Sequence, residues 1–154
     1  MTGSLRAAVG TLSVCAALLA PEARAQDAGS GVEVRIGAVV ASNAEPAFDQ
    51  RLASLRHQFD SLFPYTSYRL IKEERRTVAW GRQAGFDLPG GRYLLVIPRE
   101  YKDGRVSMKL ILVEGSRPLI DTVLSLRDQG TFLVGGPRHQ DGVLIIAIAA
   151  DVKR

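Results

Sequence analysis

Two short glycine-containing turns, Asp103-Gly104 and Gly115-Ser116, constrain the fold of this chain more than any other sequence feature. Dipeptides of this kind close two-residue β-hairpins, because glycine adopts the positive φ angles that such turns need. Apolar runs flank both turns, and apolar residues oppose apolar residues when each dipeptide is placed at a hairpin tip. The sequence therefore predicts a three-stranded antiparallel meander over about residues 92–126.

The turns also predict a register for this meander. Opposite charges that face each other across a hairpin stabilise the pairing of the two strands. The predicted cross-strand pairs are Leu95 with Leu112, Val96 with Ile111, Ile97 with Leu110, Leu112 with Leu119, and the ion pair Glu114 with Arg117.

One amphipathic helix is predicted from about Phe48 to Phe63, and Pro64 ends it. An apolar stripe at helical spacing should face the core. Its members are Leu52, Leu55, Phe59 and Leu62. His57 falls on the opposite side of the helical wheel and should face water, where a lone histidine has no neighbour to orient it.

Most of the remaining chain has the composition of strands and turns. Alternating residues predict a half-buried strand over Val32–Val40, and Tyr65–Ile71 and Thr77–Trp80 are further candidate strands. The charged run between them, KEERR at 72–76, is expected to be a turn or a sheet edge. Residues 81–91 are expected to form a glycine-rich loop or an irregular hairpin.

The stretch TFLVGGPRHQDGVLIIAI, residues 131–148, contains two glycines, a proline and polar residues between apolar runs. A phosphate-binding glycine loop needs a helix after it, whose N-terminal amides hold the anion. Here the apolar run VLIIAIAA follows, which has the length of a buried strand. The sequence therefore predicts a hairpin, with Val143–Ala150 as a central strand.

These elements place residues 32–154 in a single α+β domain. One amphipathic helix should pack on a mostly antiparallel, meander-rich β-sheet of about six to eight strands.

The first 25 residues are typical of a cleaved signal peptide, since Arg6 precedes an uncharged run and Ala23-Arg24-Ala25 follows it. Cleavage is expected between Ala25 and Gln26, followed by a flexible lead-in at 26–31. Cys15 is the only cysteine, and cleavage at this point would remove it from the mature chain. The alternative is a lipidated Cys15, although Val14 before it is larger than the residue usual at that position. The expected destination is the periplasm or the extracellular space.

Charge argues against nucleic-acid binding. The whole chain has 20 basic and 16 acidic residues, a formal net charge of +4. The basic residues are scattered along the sequence, whereas a nucleic-acid surface clusters them, often between aromatic residues. No transmembrane segment is expected after leader removal, and no cofactor or metal site is predicted.

Arg138 and His139 are the only candidates for ligand-binding residues. Arginine can hold a carboxylate or phosphate through two parallel hydrogen bonds, and histidine can transfer a proton near neutral pH. The competing interpretation is a polar hairpin tip in water. No catalytic residue is predicted, because the sequence contains neither a G-x-S-x-G motif nor clustered metal ligands.

The expected function is therefore a non-enzymatic, exported module that binds another envelope or extracellular protein, through a sheet edge or through the 81–91 loop. Two alternatives stay open. One is a small ligand-binding protein or enzyme with its site at Arg138 and His139. The other is a subunit that assembles with copies of itself, edge to edge.

Overall fold

A computed structural model describes residues 31–153, which form nine strands and one helical segment. The helical segment (residues 50–62) begins as a 3-10 helix, Gln50–Leu55, and continues as α1, Arg56–Leu62. The strands are β1 (Gly31–Ser42), β2 (Ala47–Phe48), β3 (Ser67–Val78), β4 (Ala84–Leu88), β5 (Arg92–Lys102), β6 (Arg105–Glu114), β7 (Arg117–Arg127), β8 (Thr131–His139) and β9 (Gly142–Lys153).

The strands form two sheets that pack face to face. Sheet A has the order β2-β3-β1-β9-β8, and sheet B has the order β4-β5-β6-β7. All pairings are antiparallel except the short one between β2 and β3. The predicted α+β class, with one helix on mostly antiparallel strands and a meander, is confirmed. The strands number nine in two sheets, where the sequence predicted six to eight in one.

Strand β1 lies in the middle of sheet A. One of its faces packs on sheet B and the other on the helical segment, so the molecule has three layers. Val32, Val34 and Ile36 face sheet B and belong to the main core between the sheets. Val39 and Ala41 face the other way, into a second core under the helical segment. The predicted half-buried strand is therefore buried on both faces along its second half, because the helical segment covers that part of sheet A.

The helical segment packs on sheet A through a cluster of aromatic rings. Phe59 is completely buried, and its ring centroid lies 4.8 Å from that of Tyr68 and 6.0 Å from that of Phe48. The prediction that Leu62 belongs to the buried stripe is wrong, since 61% of its surface is exposed. The first half of the segment is a 3-10 helix with three residues per turn, so the stripe drifts off the core by its last member. His57 is exposed, as predicted.

Asp49 fixes the start of the helical segment to sheet A. Its carboxylate accepts hydrogen bonds from the backbone N–H of Arg51 (3.0 Å), from the Arg51 guanidinium (2.7 Å) and from the backbone N–H of Leu70 in β3 (3.1 Å). These bonds hold the pKa of Asp49 well below its usual range, and the hydrogen bond from the Arg51 side chain is the largest cause. The same carboxylate therefore caps the helical segment and accepts a hydrogen bond from a backbone N–H of β3.

This geometry predicts that acid weakens the attachment of the helical segment to sheet A. A carboxylate whose pKa is lowered on folding stabilises the protein above its unfolded pKa of about 3.9, and this stabilisation disappears as the pH falls further. We expect the free energy of unfolding, measured by urea denaturation, to decrease as the pH drops below about 5. Asp49→Asn should be less stable at pH 7 and should lose less stability in acid. Parallel pH profiles for the two proteins would contradict this assignment.

The interpretation of KEERR as a break between two strands is wrong. Residues 72–76 continue β3, which runs unbroken from Ser67 to Val78. Strand β2 pairs with β3 only at Ser67 and Tyr68, so the charged part of β3 is the free edge of sheet A. The alternative interpretation, a charged edge, is confirmed. Charged side chains at such an edge disfavour pairing with another chain.

Both predicted meander turns are present, and Asp103 and Gly104 have φ angles of 54° and 73°. The Glu114–Arg117 pair is also present, with 3.1 Å between the two side chains. The longer-range register is wrong by one residue in both hairpins, because β-bulges at Arg99 and Leu119 each insert an unpaired residue. The observed pairs are Leu94 with Leu112, Leu95 with Ile111, Val96 with Leu110, Ile97 with Lys109, and Leu112 with Ile120.

The hairpin predicted within residues 131–148 is confirmed by the pairing of β8 with β9. The glycine-rich stretch is part of the hairpin rather than its tip, because β8 extends to His139 and the turn is Gln140-Asp141. A register shift between Gly135 and Arg138 accommodates the extra residue. Strand β9 is central in sheet A, as predicted.

The predicted signal peptide, the Ala25–Gln26 cleavage point, Cys15 and positions 26–30 of the lead-in lie outside the described residues. Gly31, the last lead-in residue, is the first residue of β1. Within residues 31–153, no helix is long and apolar enough to cross a membrane.

Candidate functional site

The structure places Arg138 and His139 at the end of β8, where three hairpin turns come together. These are the turns of the β4–β5, β6–β7 and β8–β9 hairpins. The Arg138 side chain is exposed, and His139 is partly buried. The two residues therefore do not form a site by themselves, and a third residue from sheet B determines their surroundings.

That third residue is Arg92, the first residue of β5 and the only charged residue that is buried within residues 31–153, at 8% exposure. Its guanidinium donates to the Arg138 carbonyl oxygen (2.7 Å), the Pro89 carbonyl oxygen (3.2 Å) and the Glu114 carboxylate (2.9 Å). It also lies 3.2 Å from Nδ1 of His139. A guanidinium has no acceptor, so Nδ1 accepts this hydrogen bond and the ring hydrogen is on Nε2.

The Arg92 cluster (Arg92, Glu114, Arg138 and His139) joins the two sheets at one end of the molecule. Arg92 and Glu114 belong to sheet B, whereas Arg138 and His139 belong to sheet A. The hydrogen bond from Arg92 is the main cause that lowers the pKa of Glu114, and Arg117 adds to it. The hydrogen bonds of the Arg92 guanidinium reach acceptors in both sheets, which is the arrangement of a structural clamp between layers.

A different surface has the properties of a binding site, namely the outer face of sheet B. Residues 94, 96, 106, 108, 110 and 112 point into the main core. Because side chains alternate along a strand, their neighbours point outward. The outward residues of β5, β6 and β7 that are apolar form the apolar face: Tyr93, Leu95, Ile97, Ile111, Val113 and Val123.

The centre of the apolar face is continuous because four of its residues are direct cross-strand neighbours. Leu95 pairs with Ile111, and Tyr93 pairs with Val113. Tyr93 and Val123 are the most exposed members, at 37% and 55%. An antiparallel sheet with one face in water normally carries polar residues on that face. A contiguous apolar patch on a soluble domain usually marks an interaction surface.

Gly85 in β4 shapes one side of the apolar face. The Tyr93 ring lies directly over this glycine, where any larger residue would collide with the phenol. A tyrosine that covers a strand glycine in this way is held flat against the sheet. Tyr93 therefore presents a broad, fixed aromatic surface with a polar hydroxyl, a combination that is frequent at the centre of protein interfaces.

Lys109 and Asp121 give the apolar face a defined polar element. The Lys109 Nζ atom lies 3.3 Å from Oδ1 of Asp121 across β6 and β7. Lys109 lies directly between Ile97 on β5 and Val123 on β7, and Asp121 is the cross-strand partner of Ile111. Charged groups within an interaction surface contribute mainly to orientation and specificity.

The two sheets differ in what covers their outer faces. The helical segment packs on sheet A through Leu52 and Phe59, whereas no element within residues 31–153 packs on the outer face of sheet B. The same part of the chain contains no group of three or more His, Cys, Asp or Glu residues that could hold a metal ion.

Sequence reasoning found one part of these features and missed another. The apolar residues on both faces of the meander were visible in the sequence, and they indicate the apolar face once the core side is known. Arg92 was missed, because it is 46 and 47 residues away from its partners Arg138 and His139 in the sequence. Its only local signal was the position immediately after Gly90-Gly91.

No protein-family model, curated protein or solved structure matches this chain.

Proposed function

We propose that this chain is an exported, non-enzymatic module that binds another protein of the cell envelope or the extracellular space through the apolar face of sheet B. The observation that supports the proposal is a contiguous apolar surface on one sheet, next to a sheet whose corresponding surface is covered by the helical segment. The leader-like sequence of residues 1–25 supports export.

The chemistry of the surface indicates the kind of partner. Tyr93, Leu95 and Ile111 offer aromatic and branched side chains on a rigid sheet, which bind with little loss of conformational freedom. The Lys109–Asp121 pair offers one positive and one negative group at a fixed spacing. A complementary partner presents an apolar patch and, beside it, an acidic group that faces Lys109 and a basic group that faces Asp121.

The test uses photo-crosslinking in cells of the native host. A benzophenone amino acid replaces Tyr93, and the adducts are identified by mass in the cytoplasmic, envelope and medium fractions. We expect one main adduct in the envelope or the medium, formed by a chain that begins at Gln26. Adding Ile111→Asp should reduce the adduct at least about tenfold, since a central interface residue typically contributes about 2 kcal/mol.

The matched control is Leu62→Asp, which places the same charge on an exposed apolar residue of the helical segment. This variant should leave the adduct unchanged, and circular dichroism should show wild-type strand content for both variants. An adduct of twice the chain mass would identify a second copy of this chain as the partner. The proposal fails if the adducts are insensitive to Ile111→Asp or if they form only in the cytoplasm.

A further inference from the structure

Three cationic side chains form a row across one end of the outer face of sheet B. Lys102 pairs with Arg105 across the β5–β6 hairpin, and Arg105 pairs with Arg127 across β6 and β7. Arg105 and Arg127 alternate with the buried Val106 and Leu126, so the row lies on the same side of the sheet as the apolar face. The cationic row (Lys102, Arg105 and Arg127) is hidden in the sequence, because each member comes from a different strand.

The side chains of the cationic row are all exposed, and none forms an ion pair within residues 31–153. The Arg105 guanidinium donates to the Ser125 hydroxyl (3.0 Å) and to the Ser125 carbonyl oxygen (2.8 Å), and both acceptors are uncharged. These bonds use the Nε and Nη2 atoms, so Nη1 keeps its N–H groups for a ligand. The row therefore presents its positive charge to solvent.

The acidic residues around the cationic row lie outside it. Glu100 is on the same face but stands opposite Ser107, one pair nearer to the apolar face. Asp128 follows β7, and its carboxylate accepts a hydrogen bond (2.8 Å) from the backbone N–H of Val152 in sheet A. Asp103 belongs to the turn at the tip of the β5–β6 hairpin. Among residues 31–153, no carboxylate stands directly opposite a member of the row.

Three cations in a row weaken the pairing of the strands that carry them. Like charges directly opposite each other are destabilising, whereas opposite charges strengthen the pair. On the outer face of sheet A, Arg35 and Arg75 also stand opposite each other, but there the Glu33 carboxylate lies 3.7 Å from the Arg75 guanidinium. The cationic row has no such compensation in the described part of the chain. Proteins break local rules of this kind mainly at functional sites, so the row indicates an anionic ligand.

The position of the cationic row beside the apolar face indicates that this ligand is a protein. Val123 and Arg127 point to the same side of β7, and at about 3.3 Å per residue their Cα atoms are about 13 Å apart. An apolar centre with a charged rim is the usual composition of a protein interface. A membrane surface fits less well, because the Lys109–Asp121 pair would bring a carboxylate into the hydrocarbon region together with the apolar residues.

We propose that the partner of the apolar face is a protein with a cluster of Asp and Glu residues at one end of its contact surface, and that this cluster binds the cationic row. This assignment rests on the proposed function, because it names the charge of the partner that the apolar face binds. Guanidinium groups form paired hydrogen bonds with carboxylates. Charges at the rim of an interface attract and orient the partner before contact, so the cationic row sets the rate at which the complex forms.

The test measures association and dissociation rates, by surface plasmon resonance, between this chain and the protein captured by the crosslink at Tyr93. Arg127→Glu should lower the association rate about tenfold in about 50 mM NaCl and much less in about 500 mM NaCl, because salt screens the attraction. Its dissociation rate should change less than about twofold. Ile111→Asp should have the opposite effect, mainly a faster dissociation, because it alters the apolar contact itself.

The matched control is Arg35→Glu, which makes the same charge reversal on the outer face of sheet A, where Arg35 is exposed and stands opposite Arg75. It has the same net charge as Arg127→Glu and should associate within about twofold of the wild-type rate. Arg127→Glu places an acidic residue opposite Arg105, so its thermal stability should equal or exceed that of the wild-type chain. A slower association of this variant then reports binding and not unfolding.

The outcomes separate this inference from the proposed function. Equal association rates for Arg127→Glu and Arg35→Glu, or a wild-type rate that does not depend on salt, overturn the acidic partner and leave the proposed function intact. Adducts that are insensitive to Ile111→Asp overturn both. Binding of the purified protein to phosphatidylglycerol vesicles that is abolished by Arg127→Glu would assign the cationic row to a membrane surface and overturn the acidic protein partner.

Discussion

Phe59→Ala is expected to lower the free energy of unfolding by about 3–5 kcal/mol, the usual cost of removing a buried phenylalanine. Phe59 has no exposed surface and contacts the rings of Phe48, Phe63 and Tyr68. It is the central contact between the helical segment and sheet A. The resulting cavity would lie between these two layers, and the surrounding rings cannot all move to fill it.

Urea denaturation followed by circular dichroism measures this effect. The matched control is Leu62→Ala, three residues further along the same helix, where 61% of the surface is exposed. Its cost should stay within about 0.5 kcal/mol, as for other exposed positions. Equal losses for the two variants would mean that the segment packs on sheet A through a different face.

Arg92→Ala has the second largest expected effect, a loss of about 2–4 kcal/mol in the free energy of unfolding. The substitution removes the Arg92 guanidinium and leaves the carbonyl oxygens of Pro89 and Arg138 without this partner. Partly buried acceptors that lose their hydrogen bonds add a desolvation cost to the loss of the bonds themselves. Arg92→Lys should recover only part of the loss. The planar guanidinium of arginine directs its N–H groups at several acceptors at once, whereas the compact ammonium of lysine cannot reach all of them.

Arg138→Ala is the control for this prediction. Only the backbone carbonyl of Arg138 accepts from Arg92, and the side chain is exposed, so alanine should retain the clamp. Thermal denaturation of the two variants compares them directly. A loss for Arg138→Ala as large as that for Arg92→Ala would show that the Arg138 side chain, and not its carbonyl group, holds the cluster.

The parts of the fold that depend on neighbouring residues were predictable from the sequence. Asp103-Gly104 and Gly115-Ser116 specify their turns through local backbone preference, and the structure has both. The register beyond each turn was missed, although the unpaired Arg99 and Leu119 each follow a proline, a residue that strands accept mainly at edges and bulges. A single bulge reverses which side chains face the core from that point onward.

The two-sheet arrangement and the Arg92 cluster could not be predicted, for a different reason. Alternation tells which residues share a face, but not whether two strands belong to the same sheet. KEERR illustrates a related difficulty, since five charged residues in succession have the composition of a loop. They form a strand because β1 offers its hydrogen-bonding groups, and tertiary context overrides local preference.

The arrangement of strands in sheet A also determines the order in which the molecule can fold. Strands β1 and β9 are direct partners along their whole length, although Val32 and Val152 are separated by most of the chain. The meander of sheet B needs only short loops to close, so it forms early, whereas sheet A must wait for its last strand. A growing polypeptide therefore cannot complete sheet A before β9, the partner of β1, has been synthesised.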